Sequence, residues 1–300
     1  MISQASSSAR GTRWLDIKEK GTLFGLRFVL AITALLGRWG ARVLLIVVAL
    51  YYTLFHGDAR RASAAYLALI SGRRPTFRRV WRHILTFAEV TLDRVFFLRG
   101  RYEAFEVVSR GGFTHLERLR DSGRGGLLLC AHVGSSEAMR AQAANRALPI
   151  HVLAYLRNAR MINAIMREIS PALADRIVEI EPGSAAGILD VEERIDAGQI
   201  IALMGDRTGL NDKHTTVEFM GAPACFPTGP YLLAALLRCP IFFAVGLYTP
   251  PNRYDFYCEP LFDHIELPRA GRDAILAQCA QRYAERLEHY CRLAPYNWFN

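Results

Sequence analysis

The chain has 300 residues, a formal net charge of +9 and an apolar share of 51%, with 22% of residues charged. That length allows a sizeable core in one large domain or two small ones, and the composition excludes a disordered tail or a fibre. Six cysteines, no two closer than 12 positions and none in a CxxC pair, exclude a zinc ribbon or dithiol redox site and read as reduced core residues, Cys130 among them.

The charge is unevenly placed. Residues 1–120 hold 20 Lys/Arg against 8 Asp/Glu, whereas residues 121–300 hold 17 against 20. A basic, apolar part joined to a near-neutral one points to an anionic partner, either membrane or nucleic acid. The stretch from Phe28 to Phe55 is the most hydrophobic long segment, but Arg38 and Arg42 divide it into uncharged runs of ten and thirteen residues. Each run is shorter than the roughly 20 residues that one spanning helix needs. A helix lying in the interface, or a tilted span with snorkelling arginines, is expected over a plain anchor. The arginines of residues 73–84 are interleaved with Phe77 and Trp81. With no nucleic-acid-binding motif beside them, they suit phospholipid head groups better than nucleic acid.

Residues 1–120 read as helices without clear strands, a membrane-associating annex. From Gly126 the chain alternates. Strands are expected over Gly126–Ala131, Ile150–Leu156, Arg176–Ile180, Ile200–Met204 and Ile241–Tyr248, with Tyr254–Glu259 as an edge strand. Helices are expected over Ser136–Ala147, Asn158–Ile169, Ser184–Ala197, Thr228–Leu237 and Arg272–Arg292. Short apolar strands separated by helices predict an α/β domain over 121–300, with a mainly parallel sheet flanked by helices.

One constellation carries chemistry. The first strand runs into His132, and Glu137 follows in H-x4-E spacing. On a regular helix those positions diverge, so the two side chains meet only if His132 lies on the strand-to-helix turn and Glu137 in the first helical turn. Gly134 permits the bend, and Ser135 or Ser136 can cap the helix. His132 then reads as a general base for a hydroxyl, with Glu137 fixing its tautomer. The spacing also arises by chance among this many histidines and acids, so its weight comes from its place at the carboxyl end of a strand. Two further strand ends deliver Arg157 and the pair Asp206-Arg207. Arginines beside a base suit an acidic substrate. Asp206 has no neighbouring metal-ligand pattern and reads as part of an acceptor pocket or a structural ion pair.

His132-x4-Glu137, Tyr155-Leu-Arg157-Asn158, Gly205-Asp206-Arg207-Thr208-Gly209, Phe219-Met220-Gly221 and the closing Ala294-Pro295-Tyr296-Asn297-Trp298 come in a familiar order. Together they resemble the bacterial late acyltransferases of lipid A biosynthesis, in the lysophospholipid acyltransferase superfamily. The resemblance implies a glycerolipid acyltransferase-like fold and an enzyme on the cytoplasmic face of the inner membrane. It implies transfer of a fatty acyl chain from acyl carrier protein or coenzyme A to a lipid hydroxyl, with no metal or cofactor. On that analogy His132 is the base, Glu137 its partner, and Arg157 and Arg207 contact a phosphate or the transition state. Ser135-Ser136 stands where the family usually carries Asn-Trp. That leaves room for another glycolipid, an ornithine-type or secondary-metabolite lipid, or a non-catalytic acyl-lipid binder.

Overall fold

A computed structural model describes residues 23–154, 176–179, 185–208 and 213–300. The expected helix Asn158–Ile169 and Arg157 lie outside the described residues.

Three helices come first: α1 (Leu23–Phe55), α2 (Gly57–Ser71) and α3 (Phe77–Leu98). Helix α1 kinks at Gly37, where φ of 63° with ψ of −173° is a conformation open to glycine alone. The part from Gly37 to Phe55 is long and apolar enough to cross a membrane. It carries a bare stripe on which Val43, Val47 and Phe55 are 65%, 62% and 71% exposed. Its two arginines do not snorkel. Arg38 makes a bidentate pair with Asp93 of α3, both contacts 2.8 Å, and Arg42 Nε reaches Glu89 of α3 at 2.9 Å. Tyr254 Oη also donates to Asp93, at 2.8 Å. Buried charges cost several kcal/mol each in desolvation unless fully paired, so these pairs hold α1 on α3 with its apolar side outward.

Next come β1 (Glu106–Ser109), α4 (Gly112–Asp121), β2 (Gly126–Gly134), α5 (Ser136–Asn145), β3 (Ile150–Ala154), β4 (Ile177–Glu179) and α6 (Ala185–Asp196). They are followed by β5 (Ile200–Met204), β6 (His214–Phe219), β7 (Ala222–Pro227) and α7 (Gly229–Leu237). The chain closes with β8 (Ile241–Thr249), β9 (Arg253–Phe262) and α8 (Arg272–Leu293). Seven strands form one mixed sheet in the order β1-β9-β8-β2-β5-β3-β4, parallel except for the β8–β9 pair. This is the expected α/β architecture, a mainly parallel sheet flanked by helices.

Two strand expectations are corrected. Strand β9 is not at an edge, because β1 pairs with it in parallel from a segment expected to be helical. Four residues are too short a run to show period-2 alternation, which explains why β1 escaped notice. Residues 214–227, which fall in none of the expected strands or helices, form the antiparallel hairpin β6–β7.

Period-2 alternation divides the core. Leu127, Leu129, Ala131 and Val133 of β2 pack on the side of α8, while Leu128 and Cys130 join Phe113 of α4 and Met139 of α5 on the other. At roughly 25 cal/mol per Å² of apolar surface, this two-sided burial supplies most of the driving force for folding.

Candidate active site

Strand β2 loses regular pairing just where the chemistry begins. Its register with β8 shifts between Cys130 and Gly134, so the strand end bulges. The C-terminal segment supplies the missing backbone partners. Phe299 N donates to His132 O at 2.9 Å, Gly134 N donates to Asn297 O at 2.8 Å, and Val133 bridges Trp298. Gly134 has φ of 62°, and a Cβ there would run into the Gly246 carbonyl oxygen. Only glycine permits the chain to turn here while β8 passes so close. Ser135 then caps α5, its Oγ accepting from Ala138 N at 3.2 Å, as the sequence anticipates.

The loop after β5 sits beside His132 because Gly205 N donates to Cys130 O at 2.9 Å. Asp206 thereby takes the orienting position. His132 Nδ1 lies 2.7 Å from Asp206 Oδ1, and His132 N donates to Oδ2 at 2.9 Å. Since Asp206 is a carboxylate, Nδ1 carries the proton and Nε2 is left as acceptor. Trp298 Nε1 donates to Oδ2 at 3.1 Å, and Asn300 Nδ2 donates to the Asp206 carbonyl at 2.6 Å. The Asp206 side chain is wholly buried, whereas that of His132 is 21% exposed. Burial alone would push the Asp206 carboxyl up. The hydrogen bonds from His132 and Trp298 outweigh it and hold the group below its ordinary value.

Glu137, expected to orient His132, has other partners. Ser135 and Ser136 hydroxyls donate to its Oε2, each at 3.2 Å, and Arg94 Nε of α3 lies 3.3 Å from the same oxygen. Burial pushes this carboxyl up as well, but the Arg94 and Arg140 guanidiniums bring it below its ordinary value. Arg207 turns to the C-terminal segment, donating to Asn300 Oδ1 at 2.6 Å and to the Phe299 carbonyl at 3.0 Å.

Arg94, Arg140 and Asn300 of this site carry no signal in the sequence, and Asn297 and Trp298 stand there only in the closing block. Trp298 links this segment to the helices at the start of the chain. Its carbonyl receives His83 Nε2 of α3 at 2.8 Å, and His83 Nδ1 meets Ser63 Oγ of α2 at 2.8 Å. Burial pushes the His83 ring down, which keeps it neutral, and the carbonyl fixes the proton on Nε2. Cys130 is buried, and its thiol is pushed up to about 12 by that burial, which removes it as a nucleophile. Among the described residues no cluster of His, Cys, Asp or Glu could hold a metal ion.

Residues 29–300 match the family described as bacterial lipid A biosynthesis acyltransferase. The chain belongs to that family. Membership makes it an acyltransferase of the lipid A biosynthesis type, and the apolar helix Gly37–Phe55 fits association with a membrane. No curated protein matches the sequence.

Proposed function

We propose that this acyltransferase moves a fatty acyl chain from a carrier-protein thioester to a hydroxyl of a lipid A precursor or related glycolipid, on the cytoplasmic face of the bacterial inner membrane. The observation that carries this reading is His132, with Nδ1 bound to buried Asp206 and its side chain partly exposed. Such a pair takes the proton from an acceptor hydroxyl onto Nε2 as the oxygen attacks the thioester carbonyl. When the C–S bond breaks, the imidazolium returns that proton to the departing thiolate. No acyl-enzyme is needed, because the thioester is already an activated donor.

Asp206 stabilises the imidazolium and holds the tautomer, as the carboxylate of a Ser-His-Asp triad does. Arg157 and Arg207 are the guanidiniums proposed for anionic groups of the substrates. Glu137 holds the Arg94 guanidinium in place beside the start of α5. Acyl carrier protein is favoured over coenzyme A as donor by the family resemblance.

The test is lipid mass spectrometry of cells with and without the gene, together with turnover by purified enzyme. The gene deletion and the His132→Ala strain should accumulate the same acceptor, lighter by one acyl group. Turnover retained in His132→Ala would remove the base assignment.

A further inference from the structure

A cavity of about 610 Å³ opens between α1, the first turns of α3 and the C-terminal segment. Its wall carries the guanidinium residues Arg42, Arg78, Arg79 and Arg82 against one acid, Glu89. Glu89 is already engaged, accepting from Arg42 Nε at 2.9 Å and from Tyr248 Oη at 3.2 Å. Arg78 is exposed and Arg79 half-buried, neither has a carboxylate partner among the described residues, and Arg82 stacks 4.6 Å from the centroid of the Tyr296 ring. Three guanidiniums therefore face one cavity without a countercharge.

Their place on the helix sharpens the demand for an anion. Arg78 and Arg79 lie in the first turn of α3, which holds no acid and whose Thr76 side chain makes no cap. A helix N-terminus already carries about half a positive charge, so these arginines add to it instead of balancing it. The rest of the wall is largely apolar, with Trp81, Leu85, Pro250 and Tyr296. The cavity also borders the exposed apolar stripe of α1. Arg42 stands on that helix, 5.3 Å from the ring centroid of Trp39, which is 64% exposed. A phosphate attached to hydrocarbon matches both halves of this wall.

We propose that the cavity binds the headgroup of an anionic glycerophospholipid such as phosphatidylglycerol, with Arg78, Arg79 and Arg82 on the phosphate and the glycerol end against Trp81 and Leu85. The proposal rests on the membrane reading above and adds a defined lipid site to it. An acidic carrier protein would meet the same charges, but a concave, partly apolar wall beside a bare apolar helix favours the lipid.

The test uses the full-length protein in neutral detergent, titrated with monomeric dihexanoyl phosphatidylglycerol and read by tryptophan fluorescence. Trp81→Phe assigns the signal. A saturable change is expected with this lipid and none with dihexanoyl phosphatidylcholine. Binding should weaken roughly tenfold or more in the Arg78→Gln/Arg79→Gln/Arg82→Gln variant, as expected for lost hydrogen bonds between charged groups. If circular dichroism shows that variant unfolded, Arg79→Glu alone should show the same direction of change. His132→Ala should bind like wild type, so failure of the catalytic proposal stays distinguishable from failure of this one. Equal response to phosphatidylcholine, or unchanged binding in the arginine variants, overturns the proposal. Displacement by millimolar inorganic phosphate overturns it in favour of a free-phosphate site. Variants that bind the lipid normally but lose turnover with acyl carrier protein overturn it in favour of donor docking.

Discussion

Asp206 and Glu137 are two acids at neighbouring strand ends, both held below their ordinary carboxyl values, yet their surroundings assign them different work. Asp206 is wholly buried and receives N–H groups from an imidazole, an indole and a backbone amide. Glu137 is 21% exposed and receives two hydroxyls while facing a guanidinium. A carboxylate bound to a titratable ring can tune a base, whereas one bound to arginine mainly positions charge. The role of an acid thus follows from its donors, not from its distance in sequence to a histidine.

Substitutions can break that contrast. The largest effect is expected for His132→Ala, a loss of about 10³-fold or more in kcat, since a positioned base contributes about 10²–10⁴-fold. Asp206→Asn should cost nearly as much, about 10³-fold, because the amide can present its N–H and select the wrong tautomer. Steady-state turnover checks both. If Glu137→Gln equalled Asp206→Asn in its loss, the separation of roles would fail, for the expected cost at Glu137 is only about tenfold.

Trp298→Phe sharpens the comparison further. It removes one donor from Asp206 and leaves Glu137 untouched, and the expected loss is about tenfold in kcat, with little change in KM. The pH dependence tests the same hydrogen bonds. The ordinary values are 3.8 for Asp206 and 4.5 for Glu137, and both folded values lie lower. The stability these groups contribute is therefore complete above those ordinary values and is lost as pH falls through the folded ones. Urea unfolding below pH 4 should show a shallower acid dependence in Asp206→Asn than in wild type. The smallest catalytic effect is expected for Cys130→Ala, which removes a buried thiol with no chemical role. It should cost about 1 kcal/mol of stability and leave turnover within about twofold.

The central strands were legible because β2, β5 and β8 are short apolar runs bounded by turn residues, and parallel strands buried on both faces read that way. The final helix was legible from its length and period. Strand β1 was not, since its pairing with β9 depends on a segment almost 150 residues away. Within the site, His132, Asp206 and Arg207 were each visible as polar residues at strand ends. Their pairing was not visible, because H-x4-E offered a nearer acid than the one the sheet brings alongside. Trp298 stood in the closing block, but its partner had no local signal, as its hydrogen bond to Asp206 spans 92 positions.

By itself, then, the sequence determined the class of fold, the basic and apolar character of the first 120 residues, and the strand end that carries His132. Those properties are written in composition and period, which act locally. Only the tertiary structure decided that Arg38 and Arg42 turn inward to acids of α3, that Asp206 orients His132, and that the C-terminal segment completes the bulged end of β2. Each of those outcomes depends on which buried donors and acceptors become neighbours when distant segments pack, since a buried polar group must find its partner wherever the chain has placed one.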